Sequence, residues 1–389
     1  MESRYKERGN QMQIKILFFL MSLEGGGAEK VLVNMVNQLT ERYPYYDITV
    51  QTLFDKGINK QYLSKNVNYK YVFKNIVRGN RIFLKLFNTN FLYRKMIKDD
   101  DFDIVVSFYQ GPSARIVSGC TSNVTTVQWI HNEFKSKEEI TRLYRNESEA
   151  DNSTYHFDNT VYVANSVKNS FERIFPKIKN GVTLYNINNK LDIVSRYTEE
   201  IEDYKFNNKN FHFVSVGRFV PQKAFDRLIR IMNLLVNVNH MNVDLIILGD
   251  GPLRKELEDG IKNYNLQNHV TLLGYKSNPY KYVAAADIFV CSSIHEGYST
   301  AVTESILVET PVITTACSGM KELLGNNEYG IIVKNEEESL YDELKQVLSN
   351  KEKIEWLNRV TTTRKKQILD RDELKEVDSF FIKLVKEKK

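Results

Sequence analysis

Short apolar runs alternate with amphipathic stretches along most of this chain of 389 residues. The runs have the length of buried strands, and the stretches between them have the spacing of helices with one apolar face. This alternation predicts parallel sheets covered by helices on both faces. The predicted strands form two sets: IKILFFLM, DITVQTLF, NYKYVF, DIVVSFY, NVTTVQWI, NTVYVA and GVTLYN, and then FHFVSVG, VDLIILG, HVTLLG, DIFVCSS, PVITT and YGIIV.

A polar segment rich in Asn, Asp and Glu separates the two sets, and the chain is too long for one ordinary core. We therefore predict an α/β fold with two doubly wound, Rossmann-like domains that face each other across a cleft. Ligands in such domains bind beyond the carboxyl ends of the strands, so the chemistry is expected there. The predicted parts are an N-terminal extension (1–12), a first domain (13–186), a linker (187–207), a second domain (208–362) and a C-terminal helix (363–389) that can cross back to the first domain.

Three successive glycines, residues 25–27, lie between the first predicted strand and an amphipathic helix. Glycine lets another molecule approach the backbone closely, but it costs conformational entropy. A tight turn accounts for one or two of these glycines. Three of them favour a large, electron-rich ligand against the backbone at the positive end of the helix, although a turn without a ligand remains the alternative.

Two cations follow the first strand of the second set. Arg218 and Lys223 are five positions apart in a strand-to-helix loop that begins at Gly217 and contains Pro221. Two fixed cations at this end of a sheet can neutralise a diphosphate. The alternative for either residue alone is ordinary surface charge.

Two glutamates follow the strand DIFVCSS. Glu296 and Glu304 are eight positions apart, which does not place them on one helix face, but Gly297 and Ser299 indicate a loop that enters a helix. Ser299 or Thr300 can cap that helix, with Glu304 about one turn further on. The loop offers a carboxylate for a sugar hydroxyl, the amides of 298–301 for phosphate, and a second carboxylate for ribose. The alternative for Glu304 is an ordinary acidic residue near the beginning of a helix, without a ligand.

Composition is that of a globular protein, with 42% apolar and 26% charged residues. The longest clean apolar stretch, residues 16–23, is too short to span a bilayer. Cys120, Cys291 and Cys317 are odd in number and widely separated, which fits a reducing compartment without disulfides or a metal cluster. We therefore expect a cytoplasmic protein.

Charge is distributed unevenly. Residues 56–98 contain eleven Lys or Arg and no Asp or Glu, and these cations are interleaved with Phe, Tyr, Ile and Leu. That mixture suits the surface of an anionic membrane. A helix with solvated lysines is the alternative. No nucleic acid partner is expected, since no recognised binding motif accompanies the charge.

The motifs together resemble one family. HEGYSTAVTE resembles the E-x7-E motif of the family 4 retaining glycosyltransferases of the GT-B fold. VGRFVPQKAFDRLI, LIILGDGPLRKELE, LLGYKSNPYKYVAAADIFVCSS, TPVITTACSGMKELL and GGGAEKVLVNM match that family in the same order. The resemblance covers nearly the whole chain and is most specific over 210–335. It implies transfer of a sugar from a nucleotide-sugar donor with retention of configuration, as in bacterial capsule, exopolysaccharide or cell-wall assembly.

The resemblance also implies roles for individual residues. Arg218 and Lys223 would hold the donor diphosphate and stabilise the departing nucleotide, Glu296 would meet the donor sugar, and Glu304 the ribose. Backbone around 274–277 would contact the base. The implied donor-binding set is Gly26, Gly27, Gly217, Gly274, Tyr275, Gly297, Tyr298, Ser299, Thr300 and Glu304, and no metal or other cofactor is expected.

Three residues of the first half follow predicted strands. His131 lies at the end of TTVQWI, where a histidine of this family often contacts the donor sugar or assists at the reacting centre; a structural histidine is the alternative. Tyr109 and Gln110 follow DIVVSF and are candidates for contact with the acceptor. The neighbouring Trp129 is interpreted as core. Asn165 and Ser166, in VANSVKNSF, are interpreted as helix-capping residues, with contact to phosphate as the alternative.

Three rival interpretations were weighed. A metal-dependent GT-A transferase needs a DxD motif, but DDDFD at 99–103 precedes its strand, away from the ligand edge. A nicotinamide-binding Rossmann enzyme needs G-x-G-x-x-G, and Lys30 stands in place of its third glycine. A non-catalytic partner that stabilises an active transferase is the third. We expect a UDP-sugar donor and a lipid-linked glycan acceptor at the inner face of the membrane.

Overall fold

The computed structural model of the chain describes residues 13–76, 84–97 and 101–388. It divides into two compact units, the first running to Asn188 and including Asp372–Lys389, and the second spanning Asn189–Arg371. Each unit is built on a parallel sheet. The predicted fold class, α/β with two doubly wound Rossmann-like domains, is confirmed.

In the first unit the described residues form a sheet of seven strands in the order β3-β2-β1-β4-β5-β6-β7. The strands are β1 (Ile14–Leu20), β2 (Tyr46–Phe54), β3 (Asn68–Phe73), β4 (Ile104–Ser107), β5 (Thr125–Ile130), β6 (Asn159–Tyr162) and β7 (Gly181–Thr183). The helices between them are α1 (Gly27–Arg42), α2 (Thr89–Met96), α3 (Pro112–Val117), α4 (Lys137–Thr141), α5 (Glu147–His156) and α6 (Asn165–Ile174), with a short 3₁₀ helix at Ile58–Tyr62.

The second unit has a sheet of six strands in the order β10-β9-β8-β11-β12-β13. The strands are β8 (Phe211–Val216), β9 (Val243–Leu248), β10 (Val270–Gly274), β11 (Ile288–Cys291), β12 (Val312–Thr315) and β13 (Ile331–Val333). The helices are α7 (Lys190–Arg196), α8 (Phe225–Asn233), α9 (Arg254–Asn263), α10 (Tyr280–Ala284), α11 (Thr300–Leu307), α12 (Met320–Leu324), α13 (Glu337–Ser349) and α14 (Lys351–Asp370). A 3₁₀ turn at Pro221–Lys223 precedes α8, and a π-helical turn at Leu234–Val238 follows it.

Successive residues of the second sheet enter different cores. Phe213 packs in one buried cluster and Val214 in another, and the same division separates Leu245 from Ile246. Because side chains alternate across a strand, these two clusters cover opposite faces of the sheet. Because both faces of this sheet are buried, its strands are continuous apolar runs in the sequence.

The last helix, α15 (Glu373–Glu387), belongs to the first unit. Phe381 is fully buried with its ring 6.0 Å from that of Phe18, and the Asp378 carboxylate accepts hydrogen bonds from the Tyr45 and Tyr46 hydroxyls at 2.6 and 2.8 Å. Burial, together with these hydrogen bonds to a carboxylate, raises the pKa of both tyrosines. The chain therefore ends on the unit in which it begins.

The predicted linker, residues 187–207, lies mostly in the second unit, which begins at Asn189. Ile193 of α7 is buried in the same cluster as Val214, and Tyr204 and Phe206 are half-buried beside it. Most of the segment therefore packs on the second sheet instead of forming a free linker.

Both sheets reverse their strand order at one place, between β1 and β4 in the first unit and between β8 and β11 in the second. In open parallel sheets, ligands bind outside the carboxyl ends of the strands at such switch points. The candidate residues Gly26 and Tyr109 follow β1 and β4, and Arg218 and Glu296 follow β8 and β11. Asp103, from the rejected DxD motif, lies at the opposite edge, where its carboxylate accepts the Lys15 amide at 2.9 Å.

Candidate functional site

The second unit brings two of its four predicted charged residues together at the switch point. Lys223 Nζ lies 2.6 Å from Glu296 Oε1, although the two residues are 73 positions apart. The same oxygen accepts the Ser293 hydroxyl at 2.6 Å. The side chains are only 21% and 9% exposed, so this ion pair is largely removed from water.

The pair has a defined charge state. Burial has the largest influence on the pKa of Lys223 and lowers it, but the charge and hydrogen bond of Glu296 outweigh burial and raise it above its ordinary value. Lys223 is therefore a fixed ammonium at neutral pH. A fixed cation that is largely removed from water interacts strongly with an anionic ligand placed beside it.

Backbone contacts set the separation of the two loops. The Ile294 amide donates to Gln222 O, and the Gln222 side chain donates back to His295 O, both at 2.8 Å. The Ser292 hydroxyl donates to Lys223 O at 2.8 Å. The cation and the carboxylate are thus held by their own loops before any ligand binds.

Arg218 is the second cation of this edge. Its side chain is exposed, and within the described residues it makes no hydrogen bond or ion pair. Gly249, which follows β9, has φ +133°, and a Cβ there would lie 1.9 Å from Gly217 O. The backbones of the loops after β8 and β9 are therefore packed closely at these two glycines. The sequence analysis did not assign Gly249, and its signal was a glycine directly after a strand.

The loop after β11 enters α11 as predicted. Ser299 is the N-cap, with its hydroxyl accepting the Val302 amide at 3.4 Å, and Thr300 is the first helical residue. Glu304 lies in the second turn and is buried. Gly297 is buried too, and Tyr298 is half-buried.

A second glycine contact was not foreseen. Gly319, before α12, has φ +76°, and a Cβ there would lie 2.3 Å from Gly297 O. The loop after β12 is therefore pressed against the loop that carries Glu296. Only glycine meets both the backbone conformation and the space at this position.

The predicted base-contacting backbone lies at the end of β10. Gly274 has φ +74° at an irregularity in the pairing with β9, and Tyr275 is 55% exposed. The positive φ explains the glycine at 274. The contact with a base stays a prediction.

In the first unit, the three glycines stand where α1 begins. Gly26 is the N-cap with φ −87°, and neither Gly25 nor Gly26 has a positive φ. A Cβ on Gly25 would make only an ordinary contact, 3.9 Å from the Ile58 side chain. Turn geometry and packing do not demand glycine at 25, whereas a Cβ on Gly26 would lie 2.1 Å from Glu29 Oε2. The ligand contact of these glycines stays a prediction. Gly27 is the first residue of the helix.

His131 follows β5 and is 7% exposed. Its ring centroid lies 4.5 Å from that of Phe108 and 5.3 Å from that of Tyr109. Burial lowers its pKa to about 3, against a smaller opposing effect of a backbone hydrogen bond at Phe108. Nε2 is buried without a hydrogen-bond partner in the described structure. His131 is therefore a neutral imidazole with one free nitrogen.

The other strand-end candidates are partly engaged. The Gln110 amide donates to Trp129 O at 2.6 Å, and Tyr109 is half-buried. Trp129 is 2% exposed, as expected of a core residue. Asn165 was expected to cap a helix, but the N-cap of α6 is Ala164; the Asn165 side chain instead binds the hydroxyls of Tyr185 and Thr183.

Two cations and a carboxylate thus follow strands β8 and β11 at the switch point of the second sheet. Residues 197–364 match the family model described as glycosyl transferases group 1. The chain thus carries a glycosyltransferase group 1 domain, the class of enzyme that its motifs predicted.

Relatives and solved structures agree with this assignment. The chain is 28% identical, over 86% of its length and 90% of the relative's, to the N-acetylgalactosamine-N,N'-diacetylbacillosaminyl-diphospho-undecaprenol 4-alpha-N-acetylgalactosaminyltransferase of Campylobacter jejuni. It is 30% identical to the capsular polysaccharide biosynthesis glycosyltransferase CapM of Staphylococcus aureus over 34% of each chain. Anabaena HepE, solved with UDP and glucose, shares the fold with a TM-score of 0.74 at 16% identity, over 96% of this chain and 100% of that one. The fold is that of the GT-B glycosyltransferases.

Proposed function

We propose that this protein transfers a sugar from a UDP-sugar to a lipid-linked glycan, with retention of configuration and without a metal ion, in the assembly of a surface polysaccharide. The observation that carries the proposal is the buried Lys223–Glu296 pair beside the exposed Arg218 at the switch point. Support for the donor comes from HepE, solved with UDP and glucose. Support for the acceptor comes from the C. jejuni relative, whose name specifies a diphospho-undecaprenol-linked sugar.

The two cations act on the leaving group. As the bond between the sugar and the diphosphate breaks, negative charge accumulates on the diphosphate. Lys223 is already charged and oriented, and Arg218 is free to reach the same anion, so both stabilise the transition state more than the bound donor. These cations supply the charge that a divalent metal supplies elsewhere, which is the physical basis for proposing metal independence.

The two glutamates divide the remaining donor contacts. Oε1 of Glu296 is occupied by Lys223 and Ser293, and no hydrogen bond to Oε2 is formed within the described chain, so Oε2 is assigned to a hydroxyl of the donor sugar. Glu304 is assigned to the ribose. Gly274 and Tyr275 are assigned to the base, and the amides that follow Gly297 to phosphate.

The first unit is proposed to supply the acceptor side and part of the donor contact. Gly26 and Gly27 are assigned to the diphosphate, and the free Nε2 of His131 accepts a hydrogen bond from a sugar hydroxyl or assists at the reacting centre. Tyr109 and Gln110 are assigned to the acceptor.

Residues 56–98 are proposed to hold the protein on an anionic membrane surface. Large apolar side chains at least two-fifths exposed in this stretch are Ile58, Tyr62, Tyr71, Ile76, Leu86 and Phe91. Exposed cations accompany them at Lys65, Lys70, Lys74, Lys85, Arg94 and Lys95, whereas Arg78, Arg81 and Lys98 lie outside the described residues. A merely solvated basic face would not also expose Leu86 at 70%. Within the described residues, no helix is both long enough and apolar enough to cross a bilayer.

A thermal-shift panel of nucleotides and nucleotide sugars tests the donor assignment. A ligand that binds the native state raises the melting temperature by mass action, so UDP and one UDP-sugar should give the largest shifts. The same sample is then assayed for slow hydrolysis of that UDP-sugar. Binding without hydrolysis or transfer would favour the non-catalytic partner, and a larger shift with another base would overturn the UDP assignment.

A further inference from the structure

Asn335, which follows β13, touches two of the loops that form the candidate site. Its amide nitrogen donates to Ile294 O at 2.9 Å, in the loop that carries Glu296. It also lies 3.3 Å from Ser293 O and 3.4 Å from Ala316 O, the latter in the loop after β12. One side-chain amide therefore spans two neighbouring strand ends.

The third loop is reached through Arg227. This residue belongs to α8, the helix that follows Lys223, and its guanidinium donates to Asn335 Oδ1 at 2.9 Å. The same nitrogen lies 3.4 Å from Ser292 O. Because Arg227 only donates, it fixes the Asn335 carbonyl toward itself and directs the amide N–H groups at the loop carbonyls.

Other side chains also hold the loop that carries Glu296, among them Gln222, which donates to His295 O at 2.8 Å. Ser293 O also accepts the Thr315 hydroxyl at 2.6 Å and the Cys317 thiol at 3.0 Å, so the contacts converge on the segment just before Glu296. Ile294 itself is 37% exposed and does not anchor the loop by burial. Ser293 and Glu296 are buried, and hydrogen bonds from several side chains fix the backbone between them.

We propose that Asn335, oriented by Arg227, is a positioning residue that sets Glu296 against Lys223. Asn335 does not touch the reacting groups in this scheme; it acts through the backbone of residues 293–294. The inference rests on the proposed function for its catalytic consequence, but the positioning itself does not.

Hydrogen exchange of the full-length protein, followed by mass spectrometry, tests the positioning without any substrate. In Asn335→Ala, amides of 292–298 and 316–319 should exchange faster than in the parent. The matched control is Asn237→Ala, whose amide also donates to a backbone carbonyl, Tyr264 O at 2.7 Å, but far along the chain from these loops. Unchanged exchange over 292–298 in Asn335→Ala, or acceleration spread evenly over the whole unit, would overturn the proposal.

A kinetic cycle tests the consequence for catalysis. Asn335→Ala should lower kcat by about ten- to a hundredfold with a smaller change in KM for the donor, because a misplaced group costs turnover more than binding. In a Glu296→Ala background the same substitution should cost almost nothing more, since coupled residues are not additive. Equal losses in both backgrounds would contradict action through Glu296. Asn335→Asp, which keeps the size but presents oxygens to the carbonyls, should fail as Ala does.

The two arms separate the possible failures. If Asn335→Ala exchanges faster but the parent protein shows no transfer or donor hydrolysis, the positioning holds and the proposed function is refuted. If the parent protein is active but Asn335→Ala exchanges like the parent, the proposed function holds and the positioning is refuted.

Discussion

At the scale of single residues, the candidate site is arranged before a ligand arrives. Lys223 and Glu296 neutralise each other at 2.6 Å, and their loops are joined by hydrogen bonds between backbone and side chains. Removal of either residue would leave the other charge largely buried and unpaired, which lowers the stability of the folded state. Preorganisation of this kind places charge where it is needed without reorganisation during the reaction.

The proposed division of labour predicts different defects at four positions. Arg218→Met or Lys223→Met should lower turnover by about 10²–10³ with smaller effects on donor affinity. Glu304→Gln should mainly raise the half-saturation concentration of the donor, because ribose is held equally in ground and transition states. Glu296→Ala should lower turnover while UDP still binds, since only the sugar reaches it.

Calorimetric titration with UDP, beside kinetics with the full donor, measures this division. The two glutamates serve as each other's control. If Glu296→Ala abolishes UDP binding while Glu304→Gln preserves it, the two carboxylates have been assigned the wrong way round.

His131 predicts a pH dependence of stability. In the unfolded chain a histidine binds a proton below about pH 6.5, whereas folded His131 stays neutral down to about pH 3. The unfolded state therefore binds more protons in this window, and stability falls as the pH falls from about 6.5 toward 3. His131→Gln removes this contribution, so its loss of stability between pH 6.5 and 4 should be smaller than that of the parent.

Urea unfolding at a series of pH values measures the difference. His240→Asn, at an exposed histidine with φ +53°, is the control because asparagine tolerates that backbone conformation. If the free energy of unfolding depends on pH in the same way in both variants, burial of His131 is not the cause of the pH dependence.

The sequence predicted best those residues whose structural role depends on their neighbours in the chain. Ser299 as N-cap and the glycine run before α1 could be read directly, because caps and glycines act on their own neighbours in the chain. The contact between Lys223 and Glu296, which are 73 positions apart, was not predicted: the sequence placed each residue after its own strand, and only the fold brings the two loops together. Asn335 was missed, since an asparagine after a strand is typical of any loop and its function lies in contacts that only the fold creates.

At the scale of elements, apolar runs identified the strands well because both faces of each sheet are covered. Boundaries between larger parts were harder. The polar segment 187–207 reads as a linker, yet α7 buries Ile193 in the second unit, since one apolar residue per turn is enough to dock a peripheral helix. The capping assignment of Asn165 failed because its side chain finds the hydroxyls of Tyr185 and Thr183 across the fold.

Docking of α15 predicts a large loss of stability in one variant. Phe381→Ala removes a ring that is fully buried against Phe18 and Tyr46, and should lower the free energy of unfolding by about 3–5 kcal/mol. The neighbouring Phe380 is only half-buried, so Phe380→Ala should cost clearly less. Denaturant unfolding compares the two, and equal losses would mean that α15 is not anchored through Phe381.

At the scale of the whole molecule, the basic stretch predicts salt-dependent membrane binding. Vesicles with anionic lipid should bind the protein at low salt and release it as salt rises, because exposed charges are screened. Reversing charge at Lys85, Arg94 and Lys95 should weaken this binding and leave UDP affinity unchanged.

A control with the same change of net charge reverses exposed cations of the second unit, Lys205, Lys209 and Lys255. Co-sedimentation with vesicles compares the two triple variants. Equally weakened vesicle binding in both variants would show that only net charge matters. Unchanged vesicle binding of the Lys85, Arg94 and Lys95 variant would show that residues 56–98 are a solvated surface and not a membrane contact.

The most direct test of the central claim is proton NMR of a full reaction in the presence of a chelator. The complete chain is mixed with the UDP-sugar selected by thermal shift and a lipid-linked acceptor, and the anomeric signals of donor and product are followed. The account predicts that the donor is consumed at the same rate with or without chelator, and that the new linkage keeps the donor's anomeric configuration. An inverted linkage, or transfer that stops with chelator and resumes with manganese, would contradict it.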